Sequence, residues 1–95
     1  MQVDITARHF SLSDKLRELI HDKIEKISKF NNSIMNCNVI LTKHSTIQEV
    51  EIIIHAKGCD FVAHENSDNF EKSLIIAVDK IKKQVKRQHN RLVDH

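Results

Sequence analysis

Apolar and polar residues alternate along the first segment of the chain, with Val3, Ile5 and Ala7 on one side and Gln2, Asp4 and Thr6 on the other. That two-residue period predicts a half-buried strand over Gln2 to Ala7. The period then changes. Leu12, Leu16, Leu19, Ile20, Ile24 and Ile27 recur at threes and fours, predicting an amphipathic helix from Leu12 to Ile27 with Ser11 as its N-cap. Asn31-Asn32-Ser33 ends the pattern. Cys37 to Lys43 and Val50 to Ala56 alternate again on either side of the polar run Lys43-His44-Ser45-Thr46, as the two strands of a hairpin do.

Lys57-Gly58 places the one glycine of the chain where a tight turn calls for positive φ, and Cys59 to Glu65 follows as a fourth strand. A two-residue turn there sets Ala56 opposite Cys59, Ile54 opposite Phe61 and Ile52 opposite Ala63, all on one side of the sheet. The other side pairs His55 with Asp60, Ile53 with Val62 and Glu51 with His64. Ser67 or Asp68 is the expected cap of a last helix, whose stripe is Phe70, Leu74, Ala77, Val78, Ile81, Val85 and Leu92. The order is β-α-β-β-β-α. Two helices with one apolar face each need a common surface, so the expected fold is α+β, a four-stranded sheet with both helices packed on one face.

Length and composition fit a single domain over 1–95 that folds without metal or disulfide: 95 residues, 40% hydrophobic, 29% charged, one Gly and no Pro. The N-terminus lacks the basic and apolar regions of a secretory signal, and no apolar run is long enough to span a membrane, so the expected location is cytoplasmic. In a reducing compartment Cys37 and Cys59, both on the inward phase of their strands, are expected to be buried free thiols. The formal charge of +2 conceals an asymmetry. Residues 1–79 hold nine Lys/Arg against twelve Asp/Glu (net −3), and residues 80–95 hold six against one (net +5). A basic C-terminal segment on a mildly acidic body suggests a polyanionic partner.

On a helical projection with Ile81 inward, Lys80, Lys83, Arg87 and Arg91 lie on one flank of the last helix and Lys82, Lys86 and His89 on the other. Lys15, Lys23 and Lys26 share one flank of the first helix, and Arg8 and Lys29 lie near its ends. Were the basic flanks adjacent, they would form one cationic surface suited to phosphate backbones. On composition alone, a solvated, dipole-complementing helix end is the plainer reading. With no Trp or Tyr and four Phe, the chain is a poor base-stacking platform, which favours recognition of structured RNA by backbone and shape.

The seven histidines are scattered, without H-E-x-x-H or an i,i+4 pair, and are expected to be surface or cross-strand residues rather than metal ligands. His55 with Asp60 and His64 with Glu51 read as polar cross-strand pairs. No nucleophile elbow or phosphate-binding loop is present. The expectation is a non-enzyme with no cofactor and no metal.

The ordered set Met1-Gln2-Val3-Asp4-Ile5-Thr6, Ser13-Asp14-Lys15-Leu16-Arg17-Glu18-Leu19, Lys23-Ile24-Glu25-Lys26-Ile27 with Phe30, Ala63-His64-Glu65, Asp68-Asn69-Phe70 and Ala77-Val78-Asp79-Lys80-Ile81-Lys82-Lys83-Gln84-Val85-Lys86 resembles the short form of the ribosome hibernation-promoting factors, a family that includes the ribosome-associated inhibitor and was once described as modulating a sigma factor. The resemblance covers essentially the whole chain. It implies a fold similar to double-stranded RNA-binding domains. It also implies binding to the small ribosomal subunit and its rRNA, in the decoding channel where mRNA and tRNA lie, with inhibition of translation in stationary phase or stress.

Carried over by position, the RNA-binding residues it implies are Arg8, Lys23, Lys26 and Lys29, with Lys80, Lys82, Lys83, Lys86, Arg87 and Arg91. Because the sequence stops at His95, the resemblance is to members without the C-terminal dimerisation domain. The resemblance implies that the chain would need a separate ribosome modulation factor for ribosome dimerisation, or would act on single ribosomes, and it is expected to be a monomer when free. Two alternatives stand beside this reading. One is a general structured-RNA binder without ribosome preference. The other is a protein-interaction module dimerising through the open sheet face at Ile40, Ile53 and Val62.

Overall fold

A computed structural model describes the backbone of residues 1–31 and 33–93, and the side chains of these as far as Gln88. The elements are β1 (Gln2–Arg8), α1 (Asp14–Ser28), β2 (Ile34–His44), β3 (Ile47–Ala56), β4 (Cys59–Ser67) and α2 (Phe70–Val93). The strands form one sheet in the order β1-β2-β3-β4. β1 and β2 are parallel, as the α1 crossover between them requires, and the two following pairs are antiparallel hairpins.

The β3–β4 register is the one that the Lys57-Gly58 turn predicts: Ala56 lies opposite Cys59, Ile54 opposite Phe61 and Ile52 opposite Ala63, and Gly58 has φ 88°. The β2–β3 hairpin is longer than its alternation suggests. Pairing continues to His44 opposite Ile47, so Ser45-Thr46 alone makes the turn, with Ser45 at φ 56°. Gln48 and Glu49 interrupt the apolar pattern, yet strand pairing belongs to the backbone and runs through them.

Both helix starts lie later than the sequence suggests. Ser13, not Ser11, caps α1: its backbone is extended and its Oγ accepts the Leu16 N–H at 3.1 Å. His9, at φ 68°, turns the chain out of β1 before that cap. At α2 the cap is Asn69 rather than Ser67 or Asp68, its Oδ1 accepting the Lys72 N–H at 3.1 Å. Ser67 serves instead as a brace. Its Oγ meets the Ser73 hydroxyl at 2.6 Å, Ser73 donates to the Gln48 carbonyl at 2.8 Å, and Gln48 Oε1 accepts the Phe70 N–H at 2.8 Å. Ser73 is fully buried, and these bonds satisfy it while fixing the start of α2 on β3.

The core lies between the sheet and the helical layer. Ile20, Ile24 and Ile27 of α1, Cys37, Val39 and Leu41 of β2, Val50, Ile52 and Ile54 of β3, and Leu74, Ala77 and Ile81 of α2 are fully buried. α2 lies over β3 and β4, and α1 lies beside it on the β1 side of the same face. Leu12, Leu16, Leu19 and Phe70 are only half-buried, at the rim of the core rather than in it. Phe70 stacks there on Phe10 with ring centroids 4.4 Å apart. Leu92, the last residue of the expected stripe, lies outside the described side chains.

Candidate nucleic-acid interface

The two flanks of α2 face different neighbours. Gln84 Nε2 donates to the Val62 carbonyl at 2.8 Å and its Oε1 accepts the Val62 N–H at 3.2 Å, so this flank lies along the outer edge of β4. Lys80, one turn earlier, forms an ion pair with Glu65 of the same strand. Lys83 pairs with Asp79 on its own helix at 3.1 Å. Arg87, seven residues beyond Lys80 and on its flank, is exposed. Of the cations expected to bind RNA, Lys80 thus lies against the sheet edge, Lys83 is tied to its own helix, and Arg87 is exposed.

The opposite flank faces α1. A groove between the starts of the two helices is lined by Ser13, Lys15, Leu16, Glu18, Leu19, Asp22 and Glu71, which fixes the sides they turn to each other. On α2 the flank continues from Glu71 through Ile75 to Lys82 and Lys86, and on α1 from Lys15, Leu19 and Asp22 to Lys23 and Lys26. Both helices begin at the end of the sheet where β1 and β4 finish, so they run in parallel. Their basic halves thus lie at the same, far end of the domain. Lys26 is paired with Asp22 at 3.5 Å. Lys23, Lys29, Lys82 and Lys86 have no ion partner among the described residues. Lys29 is the C-cap of α1, where its charge also complements the helix dipole.

Arg8 does not join this group. It ends β1 beside Thr42, with its exposed side chain on the face away from the helices and at the opposite end of the domain. Arg91 and His89 lie outside the described side chains. Gln84 and Glu65, which engage the cationic helix against β4, went unread in the sequence. Their signal was position: a polar side chain at the border of an apolar helical stripe, and an acidic residue on the inward phase of an edge strand.

The face of the sheet away from the helices carries a second polar cluster. Glu49 accepts from His64 Nε2 and lies 3.3 Å from His44 Nε2, while the His9 ring sits 6.3 Å from that of His44. His64 is opposite Glu51 in the ladder, but its ring bonds the diagonal neighbour Glu49, which already gathers His44. The hydrogen bond from His64 is the main reason the Glu49 carboxyl is held below its ordinary value, with the charges of His64 and His44 adding and partial burial opposing. His55 and Asp60 pair as expected, at 2.9 Å.

Among the described residues no group of His, Cys, Asp and Glu is arranged to hold a metal ion, and no helix is long and apolar enough to cross a membrane. Both cysteines are free. Burial pushes the Cys37 thiol up to about 12, whereas Cys59, at the strand end, is half-buried. On the same open face Ile40 and Ile53 are half-buried by their neighbours and Val62 is exposed.

The sequence profile of the family described as Sigma 54 modulation protein / S30EA ribosomal protein matches residues 3–93. Similar curated proteins carry the name ribosome hibernation promoting factor. The one from Azotobacter vinelandii is 23% identical over 99% of this chain and 88% of its own length. The one from Escherichia coli K12 is 21% identical over the full length of both. Among solved structures, a ribosomal subunit interface protein from Coxiella burnetii superposes with a TM-score of 0.88 over 95% of this chain and 99% of that one, at 22% identity. The N-terminal domain of Thermus thermophilus Protein Y gives 0.85 over 92% and 98%, at 20% identity.

Proposed function

This chain belongs to the Sigma 54 modulation protein / S30EA ribosomal protein family, and from that premise we propose that it is a ribosome hibernation factor, one that binds the small subunit along the mRNA and tRNA path and halts translation. It acts by occupying that path, without making or breaking a bond and without a cofactor. It meets the rRNA as a monomer in the cytoplasm, and a separate modulation factor completes any pairing of ribosomes.

The observation that carries the reading is that four of the cations without an ion partner share one end of the helical layer. Lys23, Lys29, Lys82 and Lys86 come from two helices, lie toward one end of the helical layer and have no carboxylate partner among the described residues. Phosphate backbones are the natural counter-charge for cations left unpaired.

Sedimentation of stationary-phase lysate tests the reading. The protein is expected to travel with small subunits or whole ribosomes, and the purified protein to inhibit cell-free translation at stoichiometric amounts. Recovery only from the ribosome-free fraction would refute it. Equal affinity for an arbitrary RNA duplex would reduce the protein to a general RNA binder.

A further inference from the structure

Of the four phenylalanines, three are packed: Phe61 is 4% exposed, and Phe10 and Phe70 stack on each other. Phe30 is not. It is 66% exposed, more than any other large hydrophobic residue described. An aromatic ring left in water costs apolar hydration that three sister rings avoid, so its neighbourhood matters.

Hydrogen bonds hold the backbone on both sides of Phe30. Its N–H bonds the Ile27 carbonyl at 3.0 Å, continuing the last turn of α1. Just beyond it, Asn31 Oδ1 accepts the Ser33 N–H at 2.8 Å, and the Ser33 carbonyl accepts the Lys57 N–H at 2.9 Å. The ring therefore lies three residues before Ser33, the point at which the chain is tied to the β3–β4 turn. This stretch is basic. Lys29 precedes the ring and Lys57 is in the turn bonded to its loop, both exposed, and the sequence holds no Asp or Glu between Glu25 and Glu49. Phe30 also follows α1 at the end of the domain where Lys82 and Lys86 lie on α2.

We infer that Phe30 is a stacking residue, against whose ring an unpaired base of the bound RNA lies while Lys29 and Lys57 meet the flanking phosphates. An exposed ring framed by cations offers a base both its π-face and a counter-charge for its backbone. An apolar protein pocket would gain nothing from the two lysines and would have to desolvate them. The inference rests on the ribosome-binding reading and adds a contact that is not electrostatic to a surface otherwise read through charge.

The chain has no Trp or Tyr, so Phe30→Trp introduces a single indole reporter on an otherwise dark protein. Titrated with small subunits and with deproteinised small-subunit rRNA, its emission is expected to be quenched by both, as stacking on a base requires. A blue shift without quenching on subunits, and no response to naked rRNA, would mean a protein pocket and overturn the inference. Phe30→Ala is expected to weaken subunit binding about tenfold, with the salt dependence unchanged because no cation is removed. Wild-type affinity in Phe30→Ala would likewise overturn it. Failure of the wild-type protein to co-sediment with ribosomes would instead refute the functional reading, and this inference with it.

Discussion

Along the β4-facing flank of α2, Lys80 is joined to Glu65 and Gln84 to the backbone of Val62, whereas along the α1-facing flank Lys82 and Lys86 have no ion partner among the described residues. In sequence the two flanks look alike, interleaved lysines on either side of one apolar stripe. In the fold Lys80 and Gln84 are tied to β4, while Arg87 on the same flank stays exposed. Gln84 occupies the hydrogen-bonding edge of β4 at Val62, which protects an edge strand that would otherwise be open to pairing, and the Lys80–Glu65 pair reinforces the same contact. Charge count is therefore a poor guide to binding, because a cation already matched by a carboxylate releases fewer counterions when a phosphate approaches.

The largest effect is expected where the two flanks are held apart. Ile81 is fully buried on the stripe between them, and Ile81→Ala should lower stability by about 2–5 kcal/mol in a urea melt. A loss under about 1 kcal/mol would show that α2 is rotated from this phase, and the assignment of flanks would fall with it. Phe70→Ala should cost less than a fully buried phenylalanine does, since Phe70 sits at the rim against Phe10.

The contrast itself is tested by paired substitutions. Lys82→Gln with Lys86→Gln should leave the urea midpoint nearly unchanged and flatten the plot of log affinity for small subunits against log salt by roughly 1.4–1.8. Lys80→Gln with Lys83→Gln removes the same number of charges but should alter the slope by less than half as much. Equal changes in the two double variants would erase the distinction between the flanks.

Much of this was legible in the sequence, and what was not has a consistent cause. The order of elements, the Lys57-Gly58 turn and the β3–β4 register follow from periodicity and one glycine, because side-chain alternation and turn length are local. The helix caps were misplaced by one or two residues because several Ser, Asp and Asn residues compete at each start. Only the backbone decides whether Ser11 or Ser13, Ser67 or Asn69, receives the N–H. The site was legible as a set of cations but not as a surface. Arg8 and Lys29, both near the ends of α1 in sequence, lie at opposite ends of the domain, and the pairing of Lys80 with Glu65 depends on how α2 crosses β4.

A smaller effect separates the roles on the β4 side. Gln84→Ala deletes both hydrogen bonds to Val62 and should cost about 1 kcal/mol, with faster amide exchange at Val62 and no loss of subunit affinity. Lost affinity with unchanged exchange would mean that Gln84 belongs to the binding surface rather than to the sheet edge.

The smallest effect extends the same contrast to the open sheet face, where Glu49 rather than RNA partners His44 and His64. The Glu49 carboxyl is held below its ordinary value of 4.5, mainly by the hydrogen bond from His64. A carboxyl depressed in the folded state stabilises the protein above its unfolded value, and that contribution is lost as pH falls through the folded one. Urea melts of the wild type should therefore weaken more steeply between about pH 5 and pH 3 than those of Glu49→Gln, which cannot titrate there. The difference should be slight, because the Glu49 side chain is 28% exposed and the His64 ring 46%, so that water screens the pair. Parallel pH profiles for the two proteins would show that the histidines stand beside Glu49 without coupling to it. His44 and His64 would then be unmatched by Glu49, as Lys82 and Lys86 are by any carboxylate among the described residues.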